Sequence, residues 1–397
     1  MRSDPARLFV ASGLLQRACL RGYWVAFATW VTIDLGLSPV QLVALGSVME
    51  LTILLAEIPT GVVADVVSRR LSVIIAFAVM GSAMILAGLT ETFWVLVISQ
   101  MAWGLGWTFL SGAETAWVTD ELGGADEVER LILRRARLQF ALSIVGMVGG
   151  VVLGALTSLP VTVVTAGVVM VGWAVVLAFT MTESAFERQR GDTWSQFIAT
   201  LRAGARRTRS VPALRILAVV VVLGAFGGEV LDRLDIRRLD QIGLPDDIDE
   251  ILIVGVIASL EAVAGFLFVW RVERRQSGPG LPSAASVLML AAATGAALLG
   301  LVAVLPIAAA GLVLQGGLRS SLEPVYTAWA NAHTPPETRA TVHSFVGQAD
   351  AGGEIVGGLA LAWVATATTV PTAMSCSVVL FAVAGVVALR GRAAWSS

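Results

Sequence analysis

GVVADVVSRR, residues 61–70, decides the fold. An apolar run, residues 39–63, leads into it, and a second, residues 71–89, follows. Each run is close to the roughly 20 residues that a helix needs to cross a bilayer. Gly61, Asp65, Arg69 and Arg70 therefore sit in a short charged turn between two candidate spans. A turn that is both tight and charged at a membrane face reads as a gate rather than as filler.

Composition agrees. Of the 397 residues, 56% are hydrophobic and 14% charged, against roughly 25% charged in a soluble domain. The mean hydropathy is +0.81. A net charge of -2 gives no basis for a nucleic-acid partner. Cys19 and Cys376 lie in apolar segments and read as small core residues, without a disulfide framework. No cleavable signal peptide is expected, because the first span carries Arg17 and Arg21 and lacks a small-residue cleavage site.

Hydropathy places twelve spans, at about 8–35, 39–63, 71–90, 93–118, 134–158, 160–182, 212–238, 249–270, 283–303, 306–331, 341–366 and 369–389. The expected fold is an all-α integral membrane protein, with two six-helix halves around a central cavity. The halves are residues 1–182 and 212–397, joined by a long connection, 183–211. That arrangement suggests an internal duplication, although no residue-by-residue repeat is evident.

Arginine sets the orientation. With both termini in the cytoplasm, Arg2, Arg7, Arg69, Arg70, Arg130, Arg134, Arg135, Arg137, Arg271, Arg274, Arg275, Arg339, Arg390, Arg392 and the arginines of residues 188–215 all fall at inner ends. Arg237 and Arg238 fall near an outer end. This positive-inside bias supports an even number of spans in a cytoplasmic membrane. In the connection, Trp194, Phe197, Ile198 and Leu201 follow helical spacing, and Arg202, Arg206, Arg207 and Arg209 come after them. The pattern fits an amphipathic helix on the inner membrane surface, or a linker that only satisfies the charge bias.

Spans 3, 6, 9 and 12 carry no charge, and the others hold nearly all of it. Charge is costly in hydrocarbon, so charged spans are expected to face an interior and neutral ones lipid. Arg17 and Arg21 share a face of span 1; Glu50 and Glu57 share one of span 2. Depth suggests Arg21–Glu50 and Arg17–Glu57 rungs, with Glu114 competing for Arg17. Such rungs are static ion pairs or a proton or substrate relay. The second half adds Glu229, Asp232, Arg233, Asp235, Glu261, Arg319, Glu323, Asp350 and Glu354, with Arg319–Asp350 a candidate cross-helix pair. The candidate pathway residues are Arg21, Glu50, Glu114, Glu229, Asp232, Arg319, Glu323 and Asp350. Glycines in span 5 (Gly146, Gly149, Gly150, Gly154) and span 11 (Gly352, Gly353, Gly357, Gly358) read as close-packing faces, or as a pivot. Trp24 with Phe27, and Trp103 with Trp107, line up as core anchors or as walls for a flat, greasy solute.

At this point the chain resembles the major facilitator superfamily. The family's turn reads Gly-x-Leu-Ala-Asp-Arg-x-Gly-Arg-Arg/Lys; Gly61, Ala64, Asp65, Arg69 and Arg70 match, while Val66 replaces a basic residue and Ser68 a glycine. EIPTG (residues 57–61), SGAETAWVTDEL (111–122), EVLDRLDIRRLDQIGLP (229–245), PVYTAWAN (324–331) and RATVHSFVGQADAGGEIVGG (339–358) are similar to its bacterial drug-exporter-like branch. The resemblance implies that Asp65, near the start of helix 3, contacts helix 11 when the inside is closed. It implies that Arg69 and Arg70 pair with Asp120 or Glu121. Helix 5 lacks the proline of the family's antiporter element. The expectation is a monomeric bacterial inner-membrane secondary transporter, exchanging protons for a small organic substrate without cofactor or metal. Uptake of a metabolite and a transport-inactive sensor are the alternatives. An enzyme is not expected: His333 and His343 are the only histidines, and no H-E-x-x-H or paired-cysteine motif occurs.

Overall fold

The computed structural model describes residues 4–123, 125–186, 193–274, 278–335 and 338–395. Among them are fifteen α-helices and no strand. They are α1 (Pro5–Thr29), prolonged by a π-helical turn (Trp30–Asp34), α2 (Pro39–Val66), α3 (Arg69–Gly88), α4 (Phe93–Leu110), α5 (Ala113–Leu122), α6 (Ala125–Leu156) and α7 (Leu159–Thr180). After the connecting α8 (Thr193–Ser210) come α9 (Pro212–Ile242), α10 (Glu250–Glu273), α11 (Leu281–Leu301), α12 (Leu305–Arg319), α13 (Leu322–Ala332), α14 (Arg339–Ala367) and α15 (Val370–Ala393). Counting α4 with α5 and α12 with α13 as broken spans gives the twelve expected. Nine described segments are long and apolar enough to cross a membrane. The other three, α1, α12–α13 and α14, are those that carry Arg17 and Arg21, Arg319 and Glu323, and Asp350 and Glu354.

Local chemistry sets the helix ends. Ser68 Oγ accepts the Leu71 amide at 2.9 Å, and Thr369 Oγ1 accepts that of Thr372 at 3.3 Å, each capping a helix start. Proline stands in the first turn of α1, α7, α9, α11, α12 and α15, where its missing N–H costs nothing. Span 4 breaks at Gly112, whose φ of +77° few other residues adopt. Span 10 breaks more gently at Ser320 and Ser321. Each break is followed by a glutamate in the next first turn, Glu114 or Glu323, where the helix dipole favours an anion. The sequences correspond: SGAE (111–114) and SSLE (320–323), then TAW at 115–117 and at 327–329. Serine and glutamate thus stand at the same spacing at the two breaks, while TAW follows directly in the first case and after Pro324, Val325 and Tyr326 in the second.

The chain divides into two compact units. Unit 1 is Met1–Leu35, Val48–Trp194 and Ile248–Gly255; unit 2 is Gly36–Ser47, Ser195–Asp247 and Val256–Ser397. In unit 1 the principal helix pairs are α1·α6, α3·α7, α3·α4 and α1·α7. In unit 2 they are α9·α14, α11·α15, α11·α12 and α9·α15. Counted as spans, the second set is the first displaced by six.

Glycine makes these approaches possible. A Cβ on Gly150 of α6 would stand 2.5 Å from Gly22 Cα of α1, and one on Gly81 of α3 2.6 Å from the Gly167 carbonyl of α7. In unit 2, Gly295 and Gly311 join α11 to α12, and Gly357 of α14 lies against Phe226 of α9. Small residues at such crossings let backbones meet and gain dispersion contacts where lipid offers no hydrophobic drive. Gly149 and Gly352, by contrast, face open space. The uncharged spans do not all behave as expected. α7 and α15 expose apolar residues such as Phe179 and Val379, but Phe77 and Met80 of α3 and Ala292 and Leu299 of α11 are buried. Beyond the two arginines at its start, α3, like α11, holds no charge, and both are packed between neighbours of their own unit.

Gly150→Val should lower the thermal unfolding midpoint of the purified protein, at an overpacking cost of about 1–3 kcal/mol. Gly149→Ala, one residue away, should leave the midpoint unchanged.

Candidate functional site

Unit 2 encloses a cavity of about 690 Å³. Asp232, Arg319, Glu323 and Asp350, four of the expected pathway residues, line it together with Glu261 and Glu354. Arg319 reaches Asp232 rather than Asp350: its two terminal nitrogens stand 2.5 and 2.8 Å from the two carboxylate oxygens. This fork-to-fork geometry is the strong form of the pair. Gln315 Oε1 accepts from the same guanidinium at 3.4 Å. Gly228 of α9 provides the space, since a Cβ there would collide with the Arg319 side chain; Gly316 does the same for Glu261. Asp350 and Glu323 make no hydrogen bond or salt bridge with other described residues, and each lies within electrostatic reach of the other.

Glu229 is placed differently. It is buried, accepts from Arg233 Nε at 2.8 Å and packs under Gly358, outside the cavity lining.

The first-half candidates lie in unit 1. Arg21 is exposed and Glu50 half-buried. The expected Arg17–Glu57 rung is replaced: Arg17 Nε donates to Ser143 Oγ at 2.8 Å, and Glu57 is exposed. Depth in the sequence matched Arg17 to Glu57 in height alone, and the bond that forms is to α6 instead. Glu114 bonds Arg135 of α6 at 2.6 Å, not Arg17. Both side chains are mostly buried, Arg135 lies over the Phe9 ring at 4.2 Å, and Gly13 leaves room for its guanidinium. The second oxygen of Glu114 is buried without a hydrogen-bond partner among the described residues.

The turn 61–70 is fastened within unit 1. Asp65 falls in the last turn of α2, ahead of helix 3, and Arg69 pairs with it at 3.5 Å. Arg69 also pairs with Asp120 and donates to the Ala116 carbonyl at 3.3 Å. Arg70 binds neither acid. Its guanidinium donates to the Ala178 and Met181 carbonyls at 2.6 and 2.7 Å, closing the C-terminal end of α7, where a cation is favoured. Glu121 instead accepts from the Ser184 amide at 2.6 Å. Gly61 is helical, and a Cβ there would meet nothing within 4 Å.

Tyr326 and His343 also line the cavity and were not among the expected residues. The Tyr326 hydroxyl is buried with no hydrogen-bond partner among the described residues. Its spacing of three from Glu323 on one helix was the available signal. The aromatic expectation survives as packing. Trp24 meets Trp103 at 5.2 Å between ring centres, and Trp103 stacks on Trp107 at 5.6 Å. Helix α8 forms as spaced, but the side chains of Trp194, Phe197, Ile198 and Leu201 lie outside the described residues. Among the described residues no cluster of metal-ligating side chains occurs.

Truncating one partner of the Glu114–Arg135 pair, as in Glu114→Ala, should destabilise the protein by roughly 3–5 kcal/mol, because a buried charge is left uncompensated. The double variant Glu114→Gln/Arg135→Met should recover most of that loss in thermal unfolding.

The comparisons with known proteins follow this geometry. Residues 9–293 match the family model of the Major Facilitator Superfamily. No match was found among curated proteins. Among solved structures, the nucleoside transporter NupG superposes with a TM-score of 0.79 at 12% identity, covering 100% of both chains. A bacterial homolog to the human lysosomal transporter Spinster, in an inward-facing and unoccupied conformation, gives 0.76 at 15% identity, covering 99% of this chain and 97% of that one. A POT family transporter in complex with 5-aminolevulinic acid gives 0.74 at 11%, covering 99% and 96%. At such identities the likeness concerns the fold. With more than half of the sequence matched by the family model, the chain belongs to the Major Facilitator Superfamily, and its work is transport across a membrane.

Proposed function

We propose that the protein is a proton-coupled exporter of small organic molecules. It acts as a monomer in the bacterial inner membrane with both termini in the cytoplasm, by alternating access of two six-helix halves, residues 1–182 and 212–397, joined by 183–211. The observation that carries this reading is the unit 2 cavity. It has the volume of a small-molecule site, apolar walls at Val221, Ala225 and Met289, and carboxylates at Glu323 and Asp350. Intramembrane carboxylates that face a cavity mark proton or substrate paths. A carboxylate that takes a proton when its surroundings dry, and releases it beside a cation, couples proton flow to a solute. Arg21 and Glu50 belong to the pathway on the same reading, whereas Glu114 and Glu229, each bonded to its own arginine, hold the helices beside it.

The turn 61–70 acts as the cytoplasmic gate. Arg69 and Arg70 anchor it, and Gly61 keeps one face of α2 clear although the packing around it leaves room for a side chain. A glycine that its surroundings do not require is accounted for by a second conformation in which another backbone comes close. Uptake of a small metabolite is the second reading, in line with the nucleoside transporter and the 5-aminolevulinic acid complex on which the chain superposes. Everted vesicles separate the two, since an exporter accumulates solute in them when the interior is acidified. No flux in either direction would leave the sensor reading.

Asp350→Asn should abolish accumulation driven by a pH gradient; retained accumulation would remove Asp350 as the coupling group. Gly61→Leu should keep the wild-type unfolding midpoint and lower flux. An unchanged flux in Gly61→Leu and in Asp65→Asn, measured in an efflux-deficient host, would dismiss the gate.

A further inference from the structure

We infer that the unit 2 cavity receives an organic cation, a substituted ammonium joined to an apolar body, with Asp350 and Glu323 as its counter-ions. The inference rests on the transport reading of this site and names its substrate class.

Charge carries the argument. The cavity wall holds five carboxylates, Asp232, Glu261, Glu323, Asp350 and Glu354, against one guanidinium, Arg319. Arg319 is already committed, since both terminal nitrogens bond Asp232. An anionic ligand would find its cation occupied and carboxylates around it. A cation finds Asp350, which also lies in the field of Arg319, and Glu323 within reach of each other and without a salt bridge to any described residue. A cation placed between them is neutralised by both, and a proton taken up by Asp350 competes with it for that place. That competition is itself an exchange mechanism, because cation entry expels a proton and protonation expels the cation.

The repeat gives independent support. SGAE and SSLE put Glu114 and Glu323 at corresponding positions, after the break of spans 4 and 10. In unit 1 the glutamate is neutralised by Arg135 and closed off by packing. In unit 2 the corresponding glutamate is exposed to a cavity. The buried Tyr326 hydroxyl, also without a partner, lines the same space. Its ring is a surface that a substituted ammonium favours. Val221, Ala225 and Met289 supply walls for an apolar body.

The test is equilibrium binding to the purified full-length protein in lipid nanodiscs, followed by calorimetry. The probes are phenyltrimethylammonium, its uncharged isostere tert-butylbenzene, and benzoate. Phenyltrimethylammonium should bind in preference to both others, and more tightly as pH rises from mildly acid to mildly alkaline. Asp350→Asn and Glu323→Gln should each weaken it by about ten-fold or more, as loss of a desolvated charge partner does. Asp350→Glu, which keeps the charge, should retain binding, and unchanged unfolding midpoints in all three variants exclude a folding defect. Equal binding of the uncharged isostere, preference for benzoate, or wild-type affinity in both Asp350→Asn and Glu323→Gln overturns the inference. Counterflow of a neutral or anionic solute without cation binding overturns it too, and leaves the transport reading standing. Absence of flux for every solute class would instead end that reading.

Discussion

A guanidinium inside an apolar bundle has to be neutralised where it stands, and this chain solves that problem the same way three times. Arg135 bonds Glu114, Arg233 bonds Glu229 and Arg319 bonds Asp232. In each case the flat guanidinium lies where a glycine on another helix has no Cβ to obstruct it: Gly13 for Arg135, Gly46 for Arg233, Gly228 for Arg319. The acid offsets the charge, and the glycine lets the planar fork settle against backbone. Neither is sufficient alone. A buried pair with poor geometry costs more in desolvation than its attraction returns, and a glycine without a cation above it would leave a void.

This constraint fixes which helices can neighbour one another. α6 must bring Arg135 to α5 and α1, and α12 must bring Arg319 to α9. Close glycine crossings such as Gly22–Gly150 then hold the backbones at the spacing that the pairs need. The uncharged stretches of α3, after Arg70, and of α11 have no such demand and serve as packing partners, meeting α7 and α15 over small residues. Turn fastenings follow the same logic at the membrane face, where Arg69 joins two acids and Arg70 closes a helix end.

Span number, the uncharged spans and the charged turn were legible because hydropathy and charge are properties of single segments. Asp232, Arg319, Glu323 and Asp350 were legible as a group because intramembrane charge is rare enough to stand out. Their pairing was not. Arg319 was expected opposite Asp350, and Arg17 opposite Glu57, because rise along the axis gives depth, while azimuth depends on helix rotation and tilt set by packing. Arg135 was read only as part of the positive-inside bias, although it is buried against Glu114. Tyr326 carries no charge, and its spacing of three from Glu323 was the signal it gave. The breaks of spans 4 and 10 were hidden because Ser111-Gly112 and Ser320-Ser321 interrupt the helix without interrupting hydropathy.

The repeat shows where the two units have parted. Both place a glutamate at the first turn after a broken span, so the break and the acid go together in the repeated design. Discontinuous helices are a recurrent way to bring polar groups to mid-membrane depth. In unit 1 the acid has an arginine of its own, and the result is a fastening. In unit 2 the nearest arginine is held by Asp232, and the glutamate is left facing a cavity beside Asp350. The two breaks thus differ in one respect: Glu114 is bonded to Arg135 of α6, and Glu323 makes no salt bridge with any described residue. An acid whose counter-ion is withdrawn keeps its charge and stays open to a mobile partner, which a paired acid does not.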